Sequence, residues 1–236
     1  IGDNALAAVG SAGPILNLLL ALFVGVATGA GIVISQNYGA GRRDKLSESI
    51  GNCITLAAIA SAVTTVIGLL LTTPMLRMLD TPESILSWSA GYLHIIFWGV
   101  AGGAFYNILS GILRGLGDSV SALLFLLVAT GLNIALDIWF VAGFRMGVDG
   151  VALATVLAQG ISAVLCLLKL LRMRDVFDLT WDSLRLRRDS ALRIVRIGVP
   201  SGITQAIMSV AMLVVQTLTN SMGEAVIACN VIIMRV

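Results

Sequence analysis

Long uncharged apolar runs alternate along this chain with short, polar punctuation. No Asp, Glu, Lys or Arg falls between Asp3 and Arg42, Glu48 and Arg77, Glu83 and Arg114, Asp149 and Lys169, or Arg196 and Glu224. Each run is close to or longer than the roughly 20 residues that cross a bilayer core as a helix. The runs lack the period-two alternation of barrel strands, and backbone in lipid must satisfy its own hydrogen bonds, so helices are the expected element. The pattern places them at about 14–37, 50–73, 86–113, 119–142, 150–171 and 198–219, with another beginning near Ala225. The expected fold is an all-α polytopic membrane bundle, with six full transmembrane helices and the start of a seventh.

Composition agrees with that reading. The chain is 58% hydrophobic and 12% charged, whereas a soluble chain carries roughly a quarter charged residues. Its net charge of +2 is too small to point to a nucleic-acid partner. Cys53, Cys166 and Cys229 lie singly inside apolar runs, as buried small hydrophobes do and as metal ligands do not. The first run is too long for a signal peptide and lacks a basic leader. Beginning at Ile1 and stopping at Val236 within an apolar run, the sequence reads as a piece cut from a longer protein.

Basic residues set the orientation. If successive loops alternate sides, 12 of the 15 Lys and Arg fall on one side, against Arg77 and Arg145 on the other, with Arg235 inside the last helix. The rich side is then cytoplasmic and residue 1 is outside. Eight of the 12 lie between Lys169 and Arg196, in the one long connection. The phase of Leu184, Leu186, Leu192, Ile194 and Val195 there suggests a short amphipathic helix at headgroup level, or a basic linker anchored at anionic lipid. Gly2-Asp3 followed by Leu6-Ala7 echoes Gly223-Glu224 followed by Ile227-Ala228 across this connection, as a two-lobe repeat would.

An ionisable group inside an apolar span is costly and marks a candidate site. Asp137 stands in Leu132-Asn133-Ile134-Ala135-Leu136-Asp137, and Asn133, four residues earlier, shares its helix face. Thr155 lies as far beyond the next external turn as Asp137 lies before it, so both sit roughly 9 Å inside the mouth at about 1.5 Å per residue. Asp137, Asn133 and Thr155 could form an oxygen-rich pocket for a proton or a hard cation such as Na+. His94, the sole histidine, is expected to be a buried, hydrogen-bonded packing residue; Asn17, Asn52, Asn107, Gln205 and Gln216 are polar residues of which some would line a cavity. Gly115-Leu116-Gly117-Asp118 is not a phosphate loop, since no strand precedes it. With one histidine and no metal-spaced cysteines, no ordinary hydrolase or metal site assembles, and no enzyme activity or cofactor is expected.

Four segments resemble the multidrug and toxic-compound extrusion (MATE) family. They are Gly2-Asp3-Asn4-Ala5-Leu6-Ala7-Ala8-Val9-Gly10, Ser35-Gln36-Asn37-Tyr38-Gly39-Ala40-Gly41, Leu113-Arg114-Gly115-Leu116-Gly117-Asp118 and Gly147-Val148-Asp149-Gly150-Val151-Ala152-Leu153-Ala154-Thr155. The resemblance implies helices two to seven and the start of eight of a twelve-helix, two-lobe transporter. Residues 1–171 would form most of the first lobe, 172–197 a cytoplasmic linker and 198–236 the start of the second lobe. It further implies export of amphipathic, often cationic compounds in exchange for H+ or Na+, by a monomer in the plasma membrane. In the DNA-damage-inducible (DinF-like) prokaryotic subgroup, Asn133, Asp137 and Thr155 match a coupling site completed by an acid on the first helix. A second subgroup places an acid within the seventh helix, which here has none between Gly198 and Asn220. The alternatives are a lipid-linked oligosaccharide flippase of the same superfamily, expected to carry several cavity Lys and Arg, and a channel or non-transporting membrane subunit.

Overall fold

The computed structural model describes residues 3–173 and 175–221, and all regular structure among them is helical. The order is α1 (Asp3–Gly39), α2 (Arg43–Met78), α3 (Glu83–Trp98), α4 (Val100–Gly115), α5 (Ser119–Asp137), a π-helical turn (Ile138–Gly143), α6 (Gly147–Arg172) and α7 (Arg188–Ser221). Five helices are long and apolar enough to cross a membrane, and α3 with α4 makes a sixth span bent by 50°. The expected bundle is therefore present. The start of a helix near Ala225, Cys229, Arg235 and the Gly223-Glu224 half of the echo lie outside the described residues.

Two expected helices are interrupted. The run 86–113 breaks at Gly99, whose φ of −93° and ψ of 5° leave the helical basin. A side chain at Gly99 would fall on the Val156 methyls, and one at Gly102 would sit 3.0 Å from the Gly160 nitrogen. Missing side chains thus let α4 lie directly on α6, as small residues do in membrane bundles. The run 119–142 is α-helical only to Asp137 and continues as the π turn. In contrast, α7 starts at Arg188 instead of near 198, so the expected amphipathic helix is not a separate element. Leu186 and Leu192 are exposed while Ile194 is fully buried at the start of α7.

Side chains sort by surroundings rather than by polarity. One core cluster gathers Ile34, Leu46, Ile50, Leu109, Ile112 and Leu113 at the end of the bundle near the connection, and another gathers Ile15, Leu76, Leu93, Phe97 and Val148 at the opposite end. Outward faces are equally apolar: Leu70 is 73% exposed and Val120 70%. Such faces are stable only against lipid, where exposure of Leu and Val carries no penalty. α5 is the most peripheral span, burying only Ala122 and Ala129. α7 packs chiefly on α1, through Gly25 and Gly29 against Gly198 and Gly202.

Asp118 starts α5 as its N-cap. Its carboxylate accepts from the Ser121 N–H at 3.0 Å and pairs with Lys169 of α6 at 3.3 Å. Burial pushes this carboxyl up, but the Ser121 hydrogen bonds and the Lys169 ammonium outweigh it and hold the group below its ordinary value. A carboxyl depressed by folding stabilises the fold above its unfolded pKa of about 3.9 and loses that contribution as pH falls through the lower folded value. Asp118→Ala is expected to cost about 1 kcal/mol at neutral pH. Unfolding midpoints of the two proteins in detergent should differ at pH 7 and converge as the solution is acidified below pH ~4.

Candidate functional site

α5 and α6 run antiparallel around a short turn at 144–146, closed by backbone bonds from Phe144 N–H to the Trp139 carbonyl and from Met146 N–H to the Phe140 carbonyl, both 3.1 Å. Arg145 and Gly147 take positive φ there, 55° and 63°. The π turn ahead of it stacks Trp139 on Phe140, with ring centroids 5.7 Å apart, and brings Phe144 to 5.4 Å from Trp139. Trp139 and Phe144 are exposed, which suits an aromatic belt at a membrane interface.

Near that belt two of the three expected residues, Asn133 and Thr155, meet. Asn133 Nδ2 donates to Thr155 Oγ1 at 3.3 Å, and the Thr155 hydroxyl donates to the Val151 carbonyl of its own helix at 3.0 Å. Asp137 stands on the Asn133 side at the last α-helical position before the π turn. Its Oδ1 is buried and has no hydrogen-bond partner among the described residues. A buried acceptor left unpaired costs about 1–3 kcal/mol, and such groups concentrate where a ligand or a proton is meant to arrive. The π turn fits the same interpretation, since these turns favour functional positions.

The structure adds residues that the sequence reading did not assign to this site. Tyr92 of α3 is buried. Tyr92, Asn107, Thr155 and Gln159 are the polar lining of a cavity of about 110 Å³ between α1, α3, α4 and α6. Gln159 faces Gly103, where any side chain would fall on its amide oxygen. Its position one turn below Thr155, with Ser162 three residues further, was the available signal: polar groups at i, i+4 and i+7 share one face. Ser162 is fully buried, and its hydroxyl also has no partner among the described residues.

Other candidates fall elsewhere. His94 is exposed on α3 and is not a buried packing residue; it falls on the outward side, past the inward-facing Tyr92 and Leu93. Asn17 and Gln205 are exposed, and Asn52 is buried at the end of α2, away from the cavity that Asn107 lines. Gln216 has no described side chain. Cys53 and Cys166 are buried and unbonded, as small apolar groups. A larger cavity of about 480 Å³, between α1, α2 and α7, is lined by apolar side chains such as Leu18, Leu22, Ile67 and Val199 and holds no ionisable group.

Comparison with known proteins agrees with this architecture. The family model MatE matches residues 1–139. The chain is 32% identical over 232 residues to probable multidrug resistance protein YoeA of Bacillus subtilis strain 168, covering 95% of this chain and 50% of that protein. It is 26% identical over 239 residues to DNA damage-inducible protein F of Escherichia coli K12, covering 96% and 49%. A multidrug resistance MATE family transporter of the MOP superfamily, solved in an inward-facing conformation, superimposes with a TM-score of 0.84 at 29% identity, over 89% of this chain and 48% of that one. The chain thus spans about half the length of the curated relatives it matches. With a family model matching more than half of its residues and relatives following it almost throughout, this chain belongs to the MatE family of membrane transporters.

Proposed function

We propose that this chain supplies helices two to seven and the start of eight of a two-lobe antiporter. It would export amphipathic, often cationic compounds in exchange for H+ or Na+. Residues 1–171 form most of the first lobe, 172–197 join the lobes and 198–236 begin the second. The Lys and Arg asymmetry puts the connection on the cytoplasmic side. The observation that carries this reading is the buried Asp137 oxygen, without a partner among the described residues, one helical turn along α5 from the Asn133–Thr155 pair.

The chemistry follows from that oxygen. An ionised carboxylate at this depth needs a positive partner, because charge without compensation inside a membrane is expensive. A proton neutralises Asp137 directly. Na+ would instead draw on oxygens from Asp137, Asn133 and Thr155, the hard donors this ion prefers. Either occupant removes the attraction for a cationic substrate and biases the two lobes toward the state that releases it outward. An ion and a drug then drive transport only through their difference in affinity between the two states.

The test uses the transporter that carries this sequence, in inside-out membrane vesicles, with ethidium as the fluorescent cation. An imposed proton or sodium gradient is expected to drive ethidium inward, and the effective gradient identifies the coupling ion. If neither gradient moves ethidium while a lipid-linked substrate is translocated, the flippase reading replaces this one. Ion currents independent of any opposing gradient would identify a channel.

A further inference from the structure

The connection between α6 and α7 would be free to swing if it were an ordinary tether, yet it is pinned along its length to the end of α2. The Asp178 N–H donates to Ser47 Oγ at 3.0 Å, Thr55 Oγ1 donates to the Leu184 carbonyl at 2.7 Å, and the Arg187 N–H donates to Asn52 Oδ1 at 2.8 Å. Each links residues about 130 positions apart. Arg43 forks onto Asp178, with Nε at 3.0 Å from one oxygen and Nη2 at 3.2 Å from the other. Glu48 is at the centre of the contacts. It is 9% exposed, its Oε2 lies 3.4 Å from Arg187 Nη1 and 3.5 Å from Lys45 Nζ, and its Oε1 accepts from the Ser190 hydroxyl in the first turn of α7.

Packing closes what the polar contacts align. Phe177 is 2% exposed within the main core cluster, and Asn52 is fully buried. A side chain at Gly51 would fall on the Ser183 carbonyl, so backbone meets backbone there. On the α7 side, Arg193 reaches Gln36 of α1 at 2.7 Å and Ile194 is fully buried. Buried, mutually satisfied polar groups specify one arrangement and are costly to part.

We infer that residues 175–187 and the first turns of α7 form a fixed part of the first lobe, clasped through Glu48 and Asn52, so that reorientation of the lobes takes place beyond the clasp and not in the connection. The inference rests on the two-lobe transport reading. It assigns Glu48 and Asn52, neither of which touches the ion site, to holding the start of α7 in register with α1 and α2. Changing positions of the connection that make none of these contacts, such as the exposed Trp181, therefore leaves the transport cycle unaltered, whereas parting the clasp does not.

Ser47→Cys with Asp178→Cys, with Cys53, Cys166 and Cys229 replaced by Ala, puts a thiol on each of two neighbouring residues, joined in the native protein by the Asp178 backbone N–H to Ser47 Oγ. In the whole transporter, oxidation is expected to cross-link the pair to near completion with or without substrate. Ethidium transport should stay within twofold of the reduced protein. A cross-link that fails to form, or one that arrests transport until it is reduced, overturns the clasp and makes the connection a moving part. Hydrogen exchange on the unsubstituted protein supplies a readout independent of transport. The Asp178 and Arg187 amides should exchange at least tenfold more slowly than the Trp181 amide under both gradient conditions. Exchange at the Trp181 rate would sink the clasp even in a protein that transports well. Protected amides in a protein that moves no ethidium would keep the clasp and discard the transport reading.

Discussion

Asp137→Asn is expected to reduce gradient-driven ethidium movement to the level of vesicles that lack the transporter, while the protein still inserts and folds. Asparagine keeps the shape of the side chain, but it can neither ionise nor bind and release a proton. Because Oδ1 of Asp137 is buried with no partner among the described residues, the native carboxylate does not hold the fold together there. The neutral amide lowers the desolvation cost rather than raising it, so the unfolding midpoint should stay level or rise. Full efflux in the mutant would remove Asp137 from the coupling step. Loss of efflux together with loss of folded protein would reassign it to structure.

Gly29→Ala is expected to cost stability by forcing α1 away from α7, as Gly25→Ala beside it would. A Cβ at Gly29 would stand 2.6 Å from the Ile194 carbonyl oxygen, 2.7 Å from the Gly198 nitrogen and 2.8 Å from the Gly198 Cα. All three are backbone atoms, so no rotamer change can make room and α1 and α7 must separate. Overpacking of this kind costs about 1–3 kcal/mol, a drop of about 2–4 °C in the unfolding midpoint for each kcal/mol in a chain of this size. Gly13 is the internal control. It lies on the same helix with nothing within 4 Å of its added Cβ, and Gly13→Ala should be neutral or stabilising by about 0.5–1 kcal/mol. Equal midpoints for the two variants would mean that α1 and α7 are not in contact.

The membrane architecture was legible because one physical demand, satisfying backbone in lipid, writes itself over about 20 residues at a time. The meeting of Asn133 with Thr155 was legible for a related reason. Polar groups stand out in apolar spans, and counting residues from a shared turn fixes their depth. Tyr92 was not, because a tyrosine among Leu93, Ile95 and Ile96 reads as one more apolar residue until α3 is packed against its neighbours. Gln159 could have been found from its spacing to Thr155. The break at Gly99 was hidden by the frequency of glycine in membrane helices, and the residue that excludes a side chain there, Val156, lies on another helix. His94 was assigned to the interior because a lone histidine in an apolar span invites that reading, whereas its face is outward. The clasp was the least accessible, since the partners of Glu48 and Asn52 across it lie 135 or more positions away and no local pattern encodes that.

The π-helical turn after Asp137 has a consequence for counting. It accommodates one more residue than an α-helical turn would over the same stretch, so the register slips between Asp137 and Gly143. Each residue of an α-helix advances the direction of its side chain by about 100°. A helical wheel drawn without a break from Ser119 to Gly143 therefore assigns the residues on the two sides of the turn to mutually inconsistent azimuths. Trp139 and Phe140 follow the phase of the turn, whereas Asn133 and Asp137 keep that of α5. Any redesign of this span has to treat 119–137 and 138–143 as two separate phase segments.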